Sequence, residues 1–83
     1  MQDQEKTISL AQLRPGERGQ ILGYSGGDQR YKIRLLAMGL VRGVVLEVLQ
    51  VAPLGDPVEV KVLSYRLSLR KNEAQVLMLR KVL

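Results

Sequence analysis

Residues 57–70, PVEVKVLSYRLSLR, carry an apolar side chain at every second position over most of their length. Side chains alternate faces along an extended chain, so this spacing predicts strands. Val58, Val60 and Val62 point one way in the first strand, with Glu59 and Lys61 pointing the other. In the second, Tyr65, Leu67 and Leu69 face inward and Arg66, Ser68 and Arg70 outward. VVLEVLQVA (44–52) is β-branched and almost continuous, which predicts a strand covered on both faces. QVLMLRKVL (75–83) forms the last strand. The connections are short: PLGD (53–56), where Gly55 supplies a permissive dihedral, and KNEA (71–74), a short turn. Upstream, Ile8, Leu10 and Leu13 form an apolar staple before a turn at Pro15-Gly16, and residues 19–24 make the first strand.

Length decides what these strands can build. A chain of 83 residues is expected to form one domain with one small core. Two packed sheets would need more residues, whereas a small, strongly curved barrel manages its open edges. Residues 1–6 read as a flexible tail and 7–83 as the single domain. The expected class is mostly β, with one short α-helix between the first and second strands.

That helix falls on YKIRLLAMGLVRG (31–43). Asp28 is placed to cap its start, and Gly39 to end it in a left-handed conformation. At 100° per residue, Tyr31, Leu35 and Met38 share one side, and Ile33, Leu36, Ala37 and Leu40 the other. Lys32 separates the stripes on one flank, and Arg30 with Arg34 on the other. A surface helix needs one apolar stripe, not two. Either both are buried, the second beneath residues 8–13, or one is left to dock a partner beside its cations.

Composition narrows the function. There is no Cys and no His, so disulfides, thiolate sites, imidazole ligands and the usual near-neutral base are all missing. The eight acidic residues share no local ligand pattern. No enzyme activity, metal site or cofactor is therefore expected. Charges or glycines interrupt every apolar run well short of a membrane span, and the N-terminus lacks a signal peptide's basic start and apolar middle. A cytoplasmic protein is the default. The net charge of +5 favours acidic partners, an anionic membrane face or nucleic acid. Nucleic acid is disfavoured, because only Tyr24, Tyr31 and Tyr65 could stack bases, and two of these are assigned to the core. Gly26-Gly27 lacks the lysine and spacing of a phosphate loop.

RLLAMGLVRG (34–43), VAPLGDPVEV (51–60) and LSLRKNEA (67–74), with SLAQLRPGERGQI (9–21) before them, closely resemble the FeoA family. The resemblance implies an SH3-like small barrel, related to the C-terminal domain of DtxR-type metal-dependent repressors. It also implies an accessory to FeoB, the ferrous iron permease with a cytosolic GTPase domain, and membrane association only through that partner. Arg42 stands where many relatives carry proline. The family's RLxxLG spacing assigns Leu35 and Met38 to the buried side, leaving Ile33 and Leu36 exposed. The residues expected to meet a partner are Ile33, Leu36, Arg30 and Arg34 on the helix, Leu54 and Asp56 in the stiff PLGDP loop, and Val76 and Met78 on the last strand. That strand also suits a homodimer edge. A metal-binding or metal-sensing domain is the alternative function, with a nucleic-acid-binding barrel behind it.

Overall fold

The computed structural model describes residues 6–26 and 28–82. Most of the expected tail, together with Gly27 and Leu83, lies outside them. Five strands form one antiparallel sheet in the order β4-β3-β2-β1-β5: β1 Arg18–Tyr24, β2 Val45–Val51, β3 Val58–Val62, β4 Tyr65–Leu69 and β5 Leu77–Val82. Helix α1, Gln29–Ala37, joins β1 to β2, and a single helical turn, α2, Lys71–Ala74, joins β4 to β5. β4 and β5 do not pair, so the sheet curls around its core as an open, barrel-like layer. Register shifts between Ile21 and Gly23 in β1 and between Val48 and Gln50 in β2 give the local bends that this curvature needs.

The alternation in 57–70 emerges as a hairpin in which Val58 pairs with Leu69, Val60 with Leu67 and Val62 with Tyr65. Its inward residues join Ile21, Leu46, Val48, Leu77 and Leu79 in one core cluster. Three details depart from the sequence expectation. β2 is covered on one face only: Leu46 and Val48 are buried while Val45 and Val51 are exposed, because the sheet has a single layer. Tyr65 sits at the strand's end, on the rim, and stays partly in solvent. KNEA forms α2 in place of a plain turn, with the Arg70 amide donating to the Glu73 carboxylate at 2.9 Å.

The N-terminal segment closes the core from one side. Ile8 exchanges both backbone hydrogen bonds with Leu79, at 2.8 and 2.9 Å, and so takes part of the free edge of β5. A 3-10 turn, Leu10–Gln12, then buries Leu10, and Leu13 follows it inward. Leu13 reaches β1 at Gly19, where an added β-carbon would come within 3.0 Å of its methyl group. The strand is glycine there because this crossing is close. Residues 8–13 therefore cover β5 and the sheet, leaving the second stripe of α1 open.

Candidate functional site

Asp28 starts α1 as expected: its carboxylate accepts from the Arg30 amide at 2.9 Å. The helix ends in a Schellman motif. The Gly39 amide donates to the Leu36 carbonyl and the Leu40 amide to the Leu35 carbonyl, each at 3.0 Å, with Gly39 at φ +89°. Leu40 then folds back beside Leu35, and both are fully buried. The turn thus takes Leu40 off the outer stripe.

With its end fixed, the roll of the helix follows. Leu35 faces the core, and Tyr31 and Met38 pack partly buried against it. Ile33 is 62% exposed and Leu36 40%, side by side on the opposite face. The flanking cations are already engaged. Arg30 folds back on Asp28 through its Nε and Nη2, at 3.2 and 3.1 Å. Arg34 reaches across to α2 and donates from Nη1 to Glu73 Oε2 at 2.8 Å. That guanidinium remains largely exposed while the carboxylate is sealed. The Arg30 pair holds the Asp28 carboxyl below its ordinary value, first through the side-chain bond and then through the Arg30 amide. Sequence reasoning missed Glu73: its spacing from the N-cap is that of a capping box, but Arg70 stands where Ser or Thr would have marked it.

A second surface lies at the other side of α2. Leu10, Leu13, Val51, Leu54, Val58 and Ala74 line an apolar groove of about 270 Å³ between the N-terminal segment, the PLGDP loop and α2. Leu54 stands at its rim, 93% exposed. Asp56 holds the loop to α2 by accepting from the Lys71 amide at 3.1 Å, so its carboxylate has a structural partner. The groove was not legible in the sequence, because it joins residues from three separated segments.

The last strand corrects one expectation. Val76 is buried, 9% exposed, and belongs to the core. It lies in the turn before β5 begins at Leu77, so two-residue alternation does not govern it, and its carbonyl accepts from the Ser25 amide at 2.7 Å. Met78 is half-buried. Of the eight residues singled out, the structure leaves Ile33, Leu36 and Leu54 as open apolar contacts, seats Arg30, Arg34 and Asp56 in intramolecular bonds, and removes Val76 from the surface.

Among the described residues, no group of three or more acidic side chains comes together to hold a metal ion. No described helix is long and apolar enough to cross a membrane.

Comparison with known proteins agrees with this geometry. The family model of the FeoA domain matches residues 8–81. The chain is 37% identical over 67 residues to a fusion protein of Fe(2+) transport protein A with Fe(2+) transporter FeoB from Porphyromonas gingivalis, covering 81% of this chain and 8% of the fusion's length. Among solved structures, a FeoA-like protein from Clostridium acetobutylicum superposes with a TM-score of 0.84 at 29% identity, over 94% of this chain and 90% of that one. The zinc-complexed FeoA of Stenotrophomonas maltophilia, described as an SH3 domain protein, gives 0.74 at 23% identity, over 87% and 88%. A manganese-dependent transcriptional repressor shares the fold, with a TM-score of 0.86 at 19% identity over 96% of this chain and 44% of the repressor. The fold is thus SH3-like, and it recurs as part of larger proteins.

Proposed function

Since the chain belongs to the FeoA family of ferrous iron transport, we propose that it is a cytoplasmic accessory domain that binds the cytosolic part of a FeoB-type iron permease and modulates its assembly or activity. One observation carries this reading: Ile33 and Leu36 lie open on a helix whose other face is already packed. A folded domain gains nothing from two large aliphatic side chains held in water, whereas a partner that covers them gains apolar burial. The fusion relative supports the choice of partner, because one chain that carries both parts holds them at high effective concentration. The module acts by contact and performs no chemistry of its own.

The engaged state of Arg30 and Arg34 refines the surface. Their charges are partly neutralised by Asp28 and Glu73, so the helix face presents apolar area first and steering charge second. The groove beside Leu54 is the second contact on the same side of the reading.

The test is capture by the permease's cytosolic domain, comparing the wild type with a double variant, Ile33→Asp with Leu36→Asp. The variant is expected to stay folded by circular dichroism and to lose the partner. A folded variant that still binds places the docking surface elsewhere, and Leu54→Asp then examines the groove. Anaerobic calorimetry with ferrous iron addresses the metal-binding alternative: tight binding by the isolated domain would overturn the reading of a contact module.

A further inference from the structure

The tip of the β3–β4 hairpin breaks two local rules at once. Its two-residue loop is Leu63-Ser64, and Leu63 takes φ +55°, the one non-glycine residue with positive φ among those described. The first loop position of such a turn is normally glycine, because a β-carbon is strained there. Leu63 gains no packing in return, since it is 75% exposed. One step below the tip, Lys61 lies directly opposite Arg66 across the pair, a like-charge juxtaposition that disfavours pairing. Both cations are exposed, and neither has an ion pair among the described residues.

The neighbouring strands extend this surface. Glu47 of β2 lies opposite Lys61, and Arg18 of β1 lies opposite Glu47, so the row across the sheet carries three cations and one acid. Val45, 37% exposed, shares a shallow depression with Leu63, Arg18, Glu47 and Lys61. The result is one projecting leucine beside one valine, set among net positive charge.

The geometry points to this tip as a contact site for an anionic lipid surface, with Leu63 entering the boundary between headgroups and acyl chains and Lys61 and Arg66 meeting the lipid phosphates. Charge complementarity selects the occupant. A bilayer supplies diffuse negative charge to which each nearby cation contributes whatever its orientation. A stable protein partner needs roughly 800 Å² of matched surface on each side, whereas a bilayer can take up a single projecting apolar side chain flanked by cations. Weak, reversible attachment is what one inserted leucine and a few cations provide. This assignment does not depend on the permease reading, which rests on α1.

Co-sedimentation with phosphatidylcholine vesicles, with and without phosphatidylglycerol, tests it on the full chain. Binding is expected only with phosphatidylglycerol and is expected to fall as salt is raised. Lys61→Gln with Arg66→Gln should lower the partition coefficient roughly thirtyfold, because the surface attractions of the two cations add. Leu63→Gly keeps the net charge and suits the positive φ, so it should fold while losing binding severalfold. Equal sedimentation with both vesicles, or undiminished binding by Leu63→Gly, overturns the proposal. No vesicle binding, combined with weaker capture of Leu63→Gly by the permease's cytosolic domain, would assign the tip to a protein partner and overturn the lipid site.

Discussion

The Tyr65 hydroxyl donates to the Met38 carbonyl at 2.6 Å and occupies the space that a β-carbon on Gly39 would need. Tyr24 makes a second such bond two residues on, donating to the Leu40 carbonyl at 2.5 Å. Met38 is the cap residue of α1 and Leu40 lies just beyond it, so two side chains from the sheet tie down the chain where it leaves the helix. This clamp sets the roll of α1 and hence which stripe meets water.

Gly39→Ala should therefore cost about 1–3 kcal/mol, from the strained dihedral and the overlap with Tyr65 together. For a domain of this size that is a fall in Tm of several degrees. Tyr65→Phe should cost about 1 kcal/mol for the lost hydrogen bond. In the double variant the penalties should sum to less than their separate values, because the hydroxyl overlap disappears while the dihedral strain stays. Thermal melts of the four proteins measure this, and strict additivity would show that the contact does not exist.

Adjacent leucines on α1 should behave oppositely. Leu35→Ala empties a fully buried site and should cost about 2–5 kcal/mol. Leu36→Ala, at a position 40% exposed, should cost less than about 1 kcal/mol. Urea unfolding distinguishes them, and equal losses would mean that the helix is rolled differently.

The Arg34–Glu73 bridge should be unequal in its two halves. Glu73 is 4% exposed and accepts from both the Arg70 amide and Arg34, so Glu73→Ala takes the capping acceptor from the start of α2 and should cost about 1–2 kcal/mol. Arg34 keeps most of its side chain in water, where screening weakens the pair, and Arg34→Ala should cost less than about 1 kcal/mol. Denaturant midpoints for the two variants check the order.

Acid should weaken the fold through two surface carboxylates. Lys81 donates to Glu17 at 2.8 Å and, with the Arg14 amide, holds its carboxyl below the ordinary 4.5; Arg30 holds Asp28 below the ordinary 3.8. A carboxyl with a depressed value in the fold adds stability that is complete above its ordinary value. That stability is lost as pH falls through the lower folded value. Glu17→Gln and Asp28→Asn should each flatten the acid limb of the stability curve, and added salt should do the same. Asn retains the capping oxygen at position 28, so that variant isolates the charge. Melts recorded from neutral pH into the acid range measure it.

The period-two spacing of 57–70, the Asp28 cap and the glycine stop at 39 were all legible in the chain, because each depends on neighbours a few residues away. So was the existence of two apolar stripes on α1. The family resemblance added which stripe is buried, and the burial of Leu35 beside the exposure of Ile33 and Leu36 agrees with it. Local patterning failed at Val76, which precedes its strand by one residue, and at Tyr65, which has inward parity but lies on the rim.

What the sequence by itself determined is the five strands and helix α1, their order and the absence of thiol and imidazole chemistry, since propensity, capping and composition act over short spans. Only the tertiary structure decided that Glu73 would take up Arg34, that residues 8–13 would cover β5 and leave α1 open, and that three distant segments would line one groove. Those outcomes follow from how a curved, open sheet closes over its core, and such closure brings together residues whose separation along the chain carries no signal of their meeting.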